Sequence, residues 1–221
     1  MTNHKSLNFI IAGALALITG LWFGLSSDIY KTENSQMPPA ISGVILPVAK
    51  NISDFSLQDH NRQVYSKQNL KGKWSVLFLG YAQCPDVCPA TLSIMKQVVT
   101  LLAEQDETIP ETVFVSVDPD RDTPEILAEY VRYFNPAFIG VTGEHNQLKK
   151  LAIGLSVFYQ KSAGMSGDIN ADDYLMDHSA ALMLINPEGS LQAFLTAPHD
   201  AIKIAESIVK TKEFYNQNLA N

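Results

Sequence analysis

Cysteine is scarce in this chain of 221 residues, and both copies sit in one short turn, Cys84-Pro85-Asp86-Val87-Cys88-Pro89. There is no third cysteine, so each thiol has only the other for a neighbour. A structural disulfide closing so short a loop would remove little chain entropy. Cysteines needed only for packing have no reason to be adjacent. The pair therefore reads as redox chemistry, metal binding or both. The chain also lacks any run of lysine or arginine, and its formal net charge is −7. That balance speaks against a nucleic-acid partner. Internal repeats and low-complexity tracts are missing too, which argues against a solenoid or a disordered chain. Charged residues make up 18% and hydrophobic residues 46%, the balance of a globular domain with an apolar segment added.

That segment is Phe9 to Leu25, FIIAGALALITGLWFGL, which carries no charge. It is at the short end of the roughly 17–25 residues that span a bilayer. Lys5 precedes it, and Trp22 lies near its far end, where an interfacial aromatic sits. The reading is an uncleaved signal-anchor over 9–25, with residues 1–8 cytoplasmic and the rest on the outer side. A cleaved signal peptide is the alternative; no A-x-A site follows, though Gly24-Leu25-Ser26 is small. A buried helix of a soluble protein is the third reading. The first two put the cysteines in an oxidising compartment. Residues 26–51 then read as a linker, 52–212 as the folded domain and 213–221 as a C-terminal tail.

Regular patterning begins at Ile52. Asp54–Leu57 and Val64-Tyr65 flank a polar turn, a hairpin. Trp74–Gly80 is a continuous apolar run, as in a buried central strand. The cysteine turn follows, then a helix over Thr91–Leu102 with Leu92, Met95, Val98, Val99 and Leu102 on one face. Val113–Val117 and Ala137–Val141 read as strands. Helices are expected from Asp122-Thr123-Pro124-Glu125 onward and over Glu144–Leu155. Asn186-Pro187-Glu188-Gly189 joins a second hairpin, and a last helix covers about 200–212. Alternating strands and helices predict an α/β fold with a mixed central sheet, helices on both faces and an N-terminal β-hairpin extension. A thiol pair where a central strand meets its helix is the thioredoxin-like pattern.

If Cys88 is already helical, Cys84 lies beside the helix N-terminus, where unpaired N–H groups favour a thiolate. The thiolate is both nucleophile and metal ligand. The C-x-x-x-C spacing lets the sulfurs converge on one ion or on each other. A third ligand would come from His60, His145, His178 or His199. Tyr174-Leu175-Met176-Asp177-His178-Ser179 precedes the strand AALMLI, in a loop expected beside the cysteine turn, so His178 is favoured. The other three read as surface residues. Two thiolates and an imidazole suit Cu(I). Zinc favours four ligands, and no fourth Cys or His is suitably spaced. Asp86 and Asp177 flank the ligands; Asp177 reads as an orienter of His178, part of a docking surface or a solvated carboxylate. In Asp118-Pro119-Asp120-Arg121-Asp122, hydrogen bonds that pin the loop are expected, with Arg121 paired to an aspartate, rather than a hard-ion site.

Three stretches, Tyr81–Pro89, Ser116–Pro124 and Tyr174–Ser179, resemble the three motifs of the Sco/SenC family, in the same order. The resemblance covers about 52–210, and the N-terminal anchor is typical of the family too. It implies a thioredoxin-like fold and one copper per chain, Cu(I) or Cu(II), held by Cys84, Cys88 and His178. It also implies a role in maturing the dinuclear copper A centre of cytochrome c oxidase. The partners it implies are the copper-binding subunit of that oxidase, and a copper donor and a thiol reductant in the same compartment. The location implied is single-pass in the inner (plasma) membrane, with the domain on the periplasmic side. Beside this metallochaperone reading stands an enzymatic one, in which Cys84 and Cys88 are a redox-active pair that reduces a client's cysteines. A general periplasmic thiol-disulfide oxidoreductase or a copper-homeostasis or redox-sensing protein is the alternative. A peroxide-reducing enzyme is disfavoured, because the turn supplies proline and aspartate where a hydroxyl and an arginine are usual.

Overall fold

The computed structural model describes residues 37–219. The expected membrane segment 9–25 lies outside them. In chain order the elements are β1 Gly43–Asn51, β2 Ser56–Asp59, β3 Val64–Ser66, a 3₁₀ turn Lys67–Leu70, β4 Ser75–Gly80, α1 Val87–Glu104, β5 Glu111–Ser116 and α2 Pro124–Phe134. They continue with β6 Ile139–Thr142, α3 His145–Leu155, β7 Tyr159–Ser162, β8 Leu175–His178, β9 Leu182–Ile185, β10 Ser190–Leu195 and α4 Ala201–Leu219.

Eight strands form one mixed sheet in the order β1-β10-β9-β4-β5-β6-β2-β3. The centre, β4-β5-β6, is parallel; β9, β10, β1 and the β2–β3 hairpin are antiparallel additions at the two edges. All six residues of β4 are buried, which explains its unbroken apolar run. Its side chains alternate between two cores. Val76 and Phe78 pack with α1, α2 and α4, through residues such as Leu92, Leu127 and Ile204. Leu77 and Leu79 pack with α3 on the other face, through Leu148, Leu151 and Leu155. The mixed sheet, the helices on both faces and the N-terminal hairpin are as the sequence predicts.

Three stretches differ from the sequence reading. The linker expected through Asn51 ends sooner, because Gly43–Asn51 is an edge strand paired with β10. Ile45 is buried there, but Pro47 sits where the register shifts between Ile45 and Lys50 and breaks the alternation. The tail expected from 213 is the last turns of α4, anchored by buried Phe214 and by Tyr215, whose ring meets Trp74 edge-on at 5.2 Å. The β7–β8 hairpin has no counterpart in the sequence reading. It forms a separate two-stranded sheet, and β7 (Tyr-Gln-Lys-Ser) offers no apolar alternation to read.

Among the described residues one helix, α1, is long and apolar enough to cross a membrane. Its Cys88, Leu92, Met95, Val98 and Leu102 are core residues, which accounts for that apolarity.

Candidate metal centre

The site forms where β4 ends and α1 begins. Gly80 closes β4 because nothing larger fits. A Cβ there would lie 2.8 Å from Cys88 Sγ and inside 3 Å of the Phe114 ring. The chain then turns through Tyr81–Asp86 into α1. The N-cap residue, Asp86, makes no side-chain capping bond. Cys84 takes that role instead: its Sγ accepts the backbone N–H of Cys88 at 3.4 Å. A helix start leaves several N–H groups without partners, and a sulfur carrying negative charge satisfies them and meets the positive end of the dipole. Pro89 in the first helical turn has no N–H to satisfy.

Both cysteines are free thiols, Cys84 half-buried and Cys88 buried. They share a hydrogen bond that pulls their proton affinities apart. Donation from Cys88, against a smaller opposing effect of burial, holds the Cys84 thiol down at about 3, with help from His178 and the N–H groups of Asp86 and Cys88. The same bond, and then burial, push the Cys88 thiol up. Cys84 is thus the thiolate of the pair.

His178 completes the group. Its Nε2 lies 3.6 Å from Cys88 Sγ. The donor atoms of Cys84, Cys88 and His178 all lie within 4.8 Å of one another, the one such cluster among the described residues. Nδ1 lies 3.1 Å from the Ser179 carbonyl, a contact that turns the ring so that Nε2 is the nitrogen facing the sulfurs. His178 ends β8 rather than lying in a loop, and its ring is oriented by that carbonyl, not by Asp177, which is exposed. Tyr81 packs its ring against His178, edge to face at 6.3 Å between centroids. An open cleft of about 270 Å³ reaches the site, lined by Tyr81, Cys84, Pro85, Val87, Met176 and His178 among others.

The other three candidate histidines are elsewhere. His60 Nδ1 accepts the Gly140 N–H at 3.0 Å, across the β2–β6 edge. His145 faces Asp120 at 3.2 Å, exposed. His199 is more than a surface residue: its Nε2 donates to the Ala180 carbonyl at 2.8 Å and braces the link between β8 and β9.

The acidic loop after β5 is pinned, as the sequence predicts. Arg121 Nε donates to Asp118 Oδ2 at 2.5 Å. Asp122, fully buried, accepts from the Ala82 N–H at 2.8 Å and the Ser116 hydroxyl at 2.5 Å. It thereby ties the cysteine turn to β5. Sequence reasoning missed this link; the only signal was an aspartate following a buried strand.

The donor set fits copper. Two sulfurs and one imidazole nitrogen converge without a fourth protein ligand among the described residues, which suits a soft monovalent ion better than a closed tetrahedral zinc site.

The chain matches the SCO1/SenC family over residues 46–213. The mitochondrial SCO2 homolog of Bos taurus is 33% identical over 190 residues, 86% of this chain and 68% of that one. The structure of Arabidopsis thaliana ScoI with copper bound superposes with a TM-score of 0.68 at 34% identity, covering 73% of this chain and 97% of that one. Yeast Sco1 with copper bound gives 0.67 at 29% identity, covering 74% and 89%. The motif order, the cysteine–histidine cluster and these matches agree, and the chain belongs to the SCO1/SenC family.

Proposed function

We propose that this protein binds one copper ion through Cys84, Cys88 and His178 and assists assembly of the copper A centre of cytochrome c oxidase. The observation that carries the copper reading is the convergence of these three donor atoms within 4.8 Å, with Cys84 and His178 lining an open cleft and Cys88 buried behind them. The two similar structures named above contain copper, which supports it. Copper is cargo in this reading. Bound there, it would be held by two thiolates and an imidazole, with one side open to an incoming ligand. The preset thiolate of Cys84 needs no proton removed before it binds.

The oxidase as client rests on the family resemblance. The apolar segment 9–25 would hold the domain at the inner membrane, on the periplasmic side, beside a membrane-bound partner. The donor and reductant are then proteins of that compartment.

A second reading is favoured by the same pair. Cys84 is an exposed-side thiolate and Cys88 a buried thiol, the asymmetry of a dithiol that attacks a disulfide and then resolves it. In that version the chain reduces the client's cysteines instead of loading them. Disulfide exchange needs no imidazole, whereas three-coordinate copper does. Oxidase activity of a deletion strain complemented with His178→Ala separates the two. Copper delivery predicts failure to complement; thiol reduction predicts rescue. Normal copper A assembly in the deletion strain at limiting copper would contradict both.

A further inference from the structure

His178 is carried by a hairpin that hydrogen-bonds only to itself as a ladder. β7 and β8 pair Tyr159 with His178 and Lys161 with Met176, and the pair is separate from the eight-stranded sheet. No sheet ladder therefore sets the distance between His178 and the cysteines; side-chain contacts do, Met176 of β8 packing in the core beside Leu79 and Tyr81.

Arg121 is placed to do so. Its Nε donates to Asp118 Oδ2 at 2.5 Å, on the loop after β5. Its Nη1 donates to the Asp172 carbonyl at 3.0 Å, on the segment leading into β8. The guanidinium carbon stands 3.5 Å from the Tyr174 ring centroid and 5.7 Å from that of Tyr81. Tyr174 in turn donates its hydroxyl to Asp118 Oδ1 at 2.6 Å. Lys161 Nζ, on β7, lies 3.6 Å from the Tyr174 ring centroid. Tyr81 sets its ring edge-on to that of His178, 6.3 Å between centroids. One side chain thus ties together the β5 loop, the cysteine turn and the histidine arm.

This arrangement is a poor one for stability alone. Arg121 Nη2 is buried with no hydrogen-bond partner among the described residues, and an unpaired buried donor is costly. A planar fork between two ring faces fixes orientation, which a lysine cannot reproduce.

We propose that Arg121 is a positioning residue for the metal centre, a latch that holds the β7–β8 hairpin so that His178 meets Cys84 and Cys88. The inference rests on the copper reading of those three residues. Without the latch the two sulfurs still bind one Cu(I), but the imidazole no longer reaches it.

The test uses the purified full chain and Arg121→Lys, His178→Ala and the double variant, titrated with copper. Arg121→Lys should bind one equivalent of Cu(I). Its Cu(II) form should lose the imidazole-nitrogen coupling in electron spin resonance and shift its visible band toward that of His178→Ala. Its affinity should fall by about 10–100-fold, the usual effect of losing a group that orients a ligand. The double variant should match His178→Ala, because a latch has nothing left to hold. In the metal-free chain, amide exchange should quicken across 159–178 and stay unchanged in β4 and β5. Tyr174→Phe removes one hydroxyl and should shift the same readouts less, which keeps the test open should Arg121→Lys fail to fold. Wild-type nitrogen coupling in Arg121→Lys, or effects that add to those of His178→Ala, would overturn the latch. If His178→Ala itself leaves the Cu(II) spectrum at wild type, the copper reading fails and takes the latch with it.

Discussion

Cys84 owes its character to position more than to identity. Its sulfur fills the capping place at the start of α1 and accepts hydrogen bonds that an ordinary thiol would not attract. Its proton affinity in the fold is depressed to about 3, against about 8.5 for a free cysteine. Between those values the folded chain exposes a thiolate where an unfolded one has a thiol. In the reduced, metal-free protein, alkylation of Cys84 should therefore run at nearly the same rate from about pH 8 down to about pH 5. A tenfold fall per pH unit, as for a free thiol, would contradict this. Gly80 gives a second prediction at this scale. Gly80→Ala would push a methyl group against Cys88 Sγ and the Phe114 ring. Overpacking of this kind costs about 1–3 kcal/mol, readable as a lowered urea midpoint. An unchanged midpoint would mean that the core yields there. The three donors were legible in the sequence because their motifs are short and specific. Tyr81, Arg121 and Tyr174 were not seen as one cluster, since they converge only after three separate segments have folded.

The elements differ in how firmly they are held. β4 and β5 are central, parallel and buried, whereas β7 and β8 pair only with each other. Local opening follows that difference. Amide exchange should be slowest in β4 and β5 and measurably faster in β7 and β8; equal protection would show that the hairpin opens only with the whole domain. The loop after β5 is the other key element. Asp122→Ala would leave the Ala82 N–H and the Ser116 hydroxyl without their acceptor. The expected loss is about 1–3 kcal/mol in chemical denaturation, and a loss near zero would mean the turn is held by other bonds. The central strands and amphipathic helices could be read from period and burial alone. β1 could not, because Pro47 interrupts its alternation, nor could β7, whose side chains are polar. Their strand character comes from pairing partners distant in sequence or across a long loop, information that a local pattern does not contain.

At the scale of the whole molecule, the proposal is a tethered domain that presents an open copper site to a membrane-bound client. The full chain should sediment with membranes, and loss of residues 9–25 should release it. A mature N-terminus near Ser26 would contradict the anchor. The central claim is narrower, that Cys84, Cys88 and His178 together hold one copper. Anaerobic Cu(I) titration of the reduced chain, followed by the spectrum of its Cu(II) form, tests it most directly. One equivalent should bind per chain, with a visible sulfur-to-copper band in the Cu(II) form. His178→Ala should weaken and shift that form, and Cys88→Ser should abolish the band and the tight site. Copper retention unchanged in Cys88→Ser would place the ligands elsewhere and contradict the account.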